Sequence, residues 1–166
     1  MNKTEHDTIY LVLGIVGALI LIYGRSQNTP QVYYMTGSLA LMVTAIHYKL
    51  IYFIALELIL GAGHTSLLLG MGKYIGSALP SLLCLQLLVF YLMFGKENSI
   101  FLLTGIIGIA LLSMGLAYNN QMIFFSGSSG VAVYSYYCAY RGQYICYIWG
   151  ILNTIFASYA LYQLIF

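Results

Sequence analysis

The stretch IALELILGAGH, residues 54–64, sets a carboxylate and an imidazole inside an apolar run. Glu57 and His64 stand seven residues apart, so a helix returns them to one face after two turns, roughly 10 Å along its axis. Gly61 lies between them on that face and leaves a gap in the wall. An ionisable group at membrane depth costs something like 2.5–3.5 kcal/mol, so it turns towards a cavity or a partner. Two chemistries fit. One is a face that handles a polar solute or a proton along a pore. The other is a hydrogen-bonded acid tying helices together, with His64 near the headgroups. Trp149 and Asn153, four residues apart, offer a ring that stacks and an amide that both donates and accepts. Asn153 serves either a ligand or the packing of one helix on another.

Gln86 is a further candidate for substrate contact, with an interhelical hydrogen bond as the alternative. In VYSYYCAYRGQY (133–144), Val133, Tyr137 and Tyr140 share one helical face. Tyr137 therefore lines a path or belongs to the aromatic belt of a membrane interface. Enzyme chemistry has little to stand on: there is no HExxH, no paired carboxylates, no Ser-His-Asp set and no P-loop. Glu57 and His64 alone leave a metal's coordination open. No catalytic residue, metal or cofactor is expected. Cys84, Cys138 and Cys146 match no zinc, haem or disulfide spacing and read as small buried apolar residues.

These residues need elements to hold them, and composition says which. The chain has 166 residues, 61% hydrophobic and 6% charged, with mean hydropathy +0.89. Ordinary soluble domains carry about a quarter charged residues, so an all-α polytopic membrane protein is expected. The charged start and apolar core of MNKTEHDTIYLVLGIVGALILIYGR lack a small-x-small cleavage site before Arg25, which predicts a retained first span. A span needs about 20 apolar residues, with roughly 17 as a lower limit. Polar and Gly/Pro breaks then predict seven helices, over 8–24, 32–46, 50–69, 74–94, 100–118, 122–140 and 144–166. Lys3, Lys49, Lys96 and Arg141 flank one side, Arg25 and Lys73 the other, which predicts a cytoplasmic N-terminus in a bacterial inner (cell) membrane. The scattered basic residues and net charge of +2 give no reason to expect nucleic acid.

The chain also repeats itself. GIVGALILIYG (14–24) aligns with GIIGIALLSMG (105–115), bringing Gly14, Gly17 and Gly24 onto Gly105, Gly108 and Gly115. QVYYMTGSLA (31–40) then aligns with QMIFFSGSSG (121–130), and Tyr52, Ile59, Leu60 and Ser66 meet Tyr144, Ile151, Leu152 and Ser158. Two three-helix repeats, 1–72 and 99–166, follow, joined by a linker helix within 73–98. One intervening span makes the halves parallel, with their axis along the membrane normal. The same register sets Glu57 over Trp149 and Gly61 over Asn153. Two facing third helices would then close one pocket from Glu57, His64, Trp149 and Asn153, suited to a neutral polar ligand with a flat portion.

This three-plus-one-plus-three plan resembles the SWEET and semiSWEET sugar carriers and the nicotinamide riboside (Pnu-type) vitamin transporters. The last stretch, YRGQYICYIWGILNTIFASYALYQLIF, is similar to the Pnu pattern of a small basic loop, a tyrosine, a polar or aromatic central face and a terminal aromatic-Gln element. The only prolines are Pro30 and Pro80 and the only tryptophan is Trp149, which departs from both patterns, so no substrate is carried over. The resemblance implies a facilitator for a vitamin precursor, nucleoside or sugar, working by alternating access between its halves. The expected partners are that small polar metabolite and the lipid bilayer, and a homo-oligomer is compatible with both. A non-transporting membrane subunit or scaffold is the alternative.

Overall fold

The computed structural model describes residues 3–95 and 99–166, with side chains from Asp7 onward. Lys96 lies outside these residues, and the side chain of Lys3 outside the described side chains. Seven helices follow: α1 (Lys3–Gly24), α2 (Pro30–His47), α3 (Ile51–Leu68), α4 (Gly72–Phe94), α5 (Ile100–Tyr118), α6 (Gln121–Tyr140) and α7 (Tyr147–Ile165). A short 3₁₀ turn, Tyr144–Cys146, leads into α7. The expected spans agree with these bounds to within a few residues.

Local chemistry explains the punctuation. Pro30 opens α2, where its missing N–H costs nothing. The Ser99 hydroxyl accepts from the Leu102 N–H at the start of α5. The Asn120 side chain accepts from Met122 and Ile123 at the start of α6. Asn119, at φ 51°, ends α5 in the left-handed conformation that asparagine tolerates.

By length and composition, α1, α3, α4, α5 and α7 are apolar enough to cross a membrane; α2 and α6 fall short of that measure. Gln31, His47, Gln121 and the tyrosines lower it along with small hydroxyl residues, several of which are satisfied inside their own helix. Thr36 donates to the Val32 carbonyl, Thr44 to Ala40, Ser126 to Met122 and Ser135 to Val131. The outer surface of the bundle is apolar, with Leu19, Leu85 and Leu92 each more than half exposed, as a lipid-facing surface requires.

Each helix packs on its neighbours in the chain, α1 also meets α7, and α3 also meets α5. Six helices thus close a ring, in the order α1, α2, α3, α5, α6, α7, with α4 outside over the seam of α3 and α5. Across the ring α3 stands opposite α7. Two close crossings rest on glycine. A Cβ on Gly17 of α1 would lie 2.9 Å from the Gly37 carbonyl oxygen of α2. One on Gly108 of α5 would lie 3.0 Å from the Gly127 carbonyl oxygen of α6. Small residues let the backbones touch, which is how helices gain contact in lipid.

Candidate functional site

Glu57 sits mid-way along α3, 4% exposed, and points into the ring. Trp149, two residues into α7, is fully buried, and its indole N–H donates to Glu57 Oε1 at 2.8 Å. The other carboxyl oxygen, Oε2, is buried with no hydrogen-bond partner among the described residues. One turn along α7, the Asn153 amide donates to the Trp149 carbonyl at 2.9 Å. His64, 5% exposed, packs its ring 4.9 Å from that of Tyr34 on α2. All four predicted residues, with Tyr34 and Ser38, line one cavity of about 30 Å³.

The placement agrees with the sequence register, whereas the size does not match the expected ligand. About 30 Å³ is one water's share of the liquid, while small-molecule sites run to several hundred. The indole fills the space that a vitamin or sugar would need. One oxygen of Glu57 behaves as the helix-tying acid, and the other is buried, with Ser38 of α2 beside the carboxyl. His64 is buried in the bundle, towards the end of α3. Asn153 bonds within its own helix, so it is not glue between helices through that amide.

Other expectations need correction. Gly61 makes no gap in this cavity. It opens instead onto a lateral groove of about 190 Å³ between α2 and α3, lined also by Met35, Leu58 and Ala62, with Glu57 and Ser38 in its lining too. Gln86 lies on the exposed outer face of α4, because α4 turns only its Cys84 and Leu87 side inward. Val133 and Tyr140 are 44% and 87% exposed, so the predicted three-residue wall does not form. Tyr137 does reach a cavity, with Tyr134 beside it on the inner side of α6.

That second cavity is an open vestibule of about 320 Å³ where α3 begins and α6 ends. Lys49 and Arg141, both exposed, stand at its mouth, and Tyr52, Tyr91, Tyr134 and Tyr137 form much of its wall. The Tyr52 and Tyr134 rings pack 4.1 Å apart. Phe53 lines the floor, and its ring lies 4.5 Å from Trp149. The aromatic pair Phe53–Trp149 therefore separates the vestibule from the Glu57 cavity.

The opposite end is shut. Phe124 and Phe156 line the cavity from that side, rings 5.8 Å apart. Above them Arg25 stacks its guanidinium 4.5 Å from the Phe124 ring and 5.3 Å from Tyr159, and donates to Gln121 at 2.7 Å. Arg25 belongs to the end of α1 and these three partners to α6 and α7, while Tyr34 of α2 also hydrogen-bonds with it. Sequence reasoning missed Arg25, Tyr34, Ser38 and Tyr52 as site residues. The repeated QVYYMTGSLA element carries Tyr34 and Ser38, and Tyr52 had a repeat counterpart, so a signal existed for three of the four. Comparison of the chain with protein-family models, curated proteins and solved structures gives no match.

Proposed function

We propose that this chain is a small membrane transporter, a facilitator that moves a polar metabolite by rocking one three-helix half against the other. The observation that carries the reading is Glu57, a buried acid with one oxygen bonded across the ring to Trp149 and the other unpaired beside a cavity. The pairings among helices support two equivalent halves: exchanging α1, α2 and α3 for α5, α6 and α7 turns the α1–α7 contact into the α5–α3 contact. The duplicated glycine crossings, Gly17 with Gly37 and Gly108 with Gly127, support the same repeat. The seven crossings, the parallel halves and the likeness of plan to SWEET and Pnu-type carriers belong to this proposal.

In this arrangement the solute enters the vestibule from the Lys49 and Arg141 side and waits above Phe53. Withdrawal of the Trp149 indole frees Glu57 Oε1 and merges vestibule and cavity. The carboxyl and the Asn153 amide then accept and donate hydrogen bonds to the solute's polar edge while the aromatic rings cover its flat face. Release on the far side requires Arg25 to leave Gln121 and Phe124.

The test is uptake by vesicles holding the purified protein, with a panel of nucleosides, sugars and vitamins outside. At least one should accumulate over protein-free vesicles, and Glu57→Gln should cut that uptake more than about tenfold while helicity is kept. Equal uptake by the variant would remove Glu57 from the path. A second reading, the non-transporting subunit or scaffold, draws on the small cavity and the direct Trp149–Glu57 bond. It predicts that no solute of the panel moves and that Glu57→Gln lowers only stability.

A further inference from the structure

The vestibule has a side exit. A mostly apolar groove of about 260 Å³ runs between α4 and α5, and it shares Tyr91, Ser99 and Leu102 with the vestibule. Along α5 the groove extends from Ser99 to Ile106, roughly 10 Å at 1.5 Å per residue. It starts at the helix ends, at the level of Lys49 and Arg141, and runs towards the middle of the bundle. Cations at the end and apolar wall beneath them reproduce the order of a lipid: charged head at the interface, chain below. The Tyr52 ring lines the vestibule, while its hydroxyl is buried against Gly105 of α5.

We infer that the vestibule and the α4–α5 groove together form a binding site for an anionic phospholipid of the surrounding leaflet. The phosphate sits between Lys49 and Arg141 at the vestibule mouth, and one acyl chain lies in the groove against Leu102, Leu103 and Ile106. Charge complementarity selects the occupant, since basic pockets between membrane helices hold anionic headgroups, while a neutral zwitterionic head gains less from two cations. The site lies at the vestibule mouth, outside the Phe53–Trp149 pair, so a bound headgroup and an entering solute would compete there, while lipid binding itself does not require transport.

Native mass spectrometry of the full chain in a neutral detergent gives the test, with phosphatidylglycerol and phosphatidylcholine as probes. Phosphatidylglycerol should bind about tenfold more tightly, and Lys49→Gln should reduce that preference to about twofold. Leu103→Trp, which fills the lipid-facing groove, should weaken phosphatidylglycerol several-fold while leaving the headgroup preference in place. Millimolar inorganic phosphate should fail to displace the lipid. Equal binding of the two lipids by the unaltered chain overturns the inference. So does displacement by phosphate at those concentrations, which would mark a site for a free anion. Unchanged binding in Leu103→Trp, with helicity kept, would place the chain elsewhere and overturn it as well.

Discussion

The two ends of the ring carry similar chemistry and do opposite things. Each has exposed or half-exposed cations beside tyrosines. At one end Lys49 and Arg141 rim an open vestibule of about 320 Å³. At the other Arg25 is drawn down over Phe124 and Tyr159 and bonded to Gln121. The difference lies in reach across the ring. Arg25 hangs from the end of α1 and touches α6 and α7, whereas the vestibule's cations leave the space between them unfilled. Closure at that end is thus a matter of one side chain reaching from α1 to α6 and α7, and the Phe53–Trp149 pair is the second barrier, facing the open end.

The strongest way to break this comparison is to remove the inner barrier. Trp149→Ala deletes a fully buried ring and should lower unfolding stability by about 3–5 kcal/mol, read by circular dichroism during denaturant titration in detergent. Trp149→Phe keeps a ring but leaves Glu57 Oε1 without its indole partner, and should cost about 1–3 kcal/mol. Equal losses in the two variants would mean that the hydrogen bond, not the ring, holds the barrier. The outer barrier should matter less to stability. Arg25→Ala loses one charged hydrogen bond and a half-exposed cation–π stack, together about 1–2 kcal/mol. It should also let a membrane-impermeant maleimide reach a Leu116→Cys thiol at the cavity wall faster than in the parent; an unchanged labelling rate would deny Arg25 its role as a plug.

Much of this was legible in the chain. The repeat register put Glu57 opposite Trp149, and the structure joins them by a hydrogen bond. Helix bounds followed from polar and Gly/Pro breaks, at which the structure has Pro30, Ser99, Asn119 and Asn120 beginning or ending helices by local chemistry. What stayed hidden depends on rotation and on volume. Gln86 looked like a mid-span polar contact, but the seam position of α4 turns it outward. Tyr137 was chosen with Val133 and Tyr140, while the inner side of α6 is the one bearing Tyr134. The volume of the Glu57 cavity depends on where one indole lies, which no spacing rule reports. Arg25 was counted as a flanking charge for orientation, and nothing in its neighbourhood in sequence points to Phe124, about a hundred residues away.

A gentler contrast uses the native thiols. Cys138 is half-buried and lines the vestibule, whereas Cys84 and Cys146 are buried. An impermeant maleimide should modify Cys138 at least about tenfold faster than the other two, read by mass spectrometry of digested protein. Comparable rates at Cys146 would show that the vestibule is deeper than its lining, and the barrier at Phe53 weaker, than drawn here.

The smallest effect should come from the other cation at the closed end. Lys73 places its ammonium 5.8 Å from the Tyr118 ring and 5.9 Å from Tyr74, a geometry that resembles Arg25 over its own aromatics. Yet Lys73 is exposed, both rings are exposed, and its contacts run to α4 and α5 at the edge of the bundle rather than across the ring. Water screens such a contact, so Lys73→Ala should shift stability by less than about 0.5 kcal/mol and leave labelling of Leu116→Cys unchanged. A loss equal to that of Arg25→Ala would mean that positive charge as such, at any position on this end, keeps it shut. The expected gap between the two variants assigns closure to geometry: a planar guanidinium that stacks and donates at once, carried from the end of α1 onto α6 and α7.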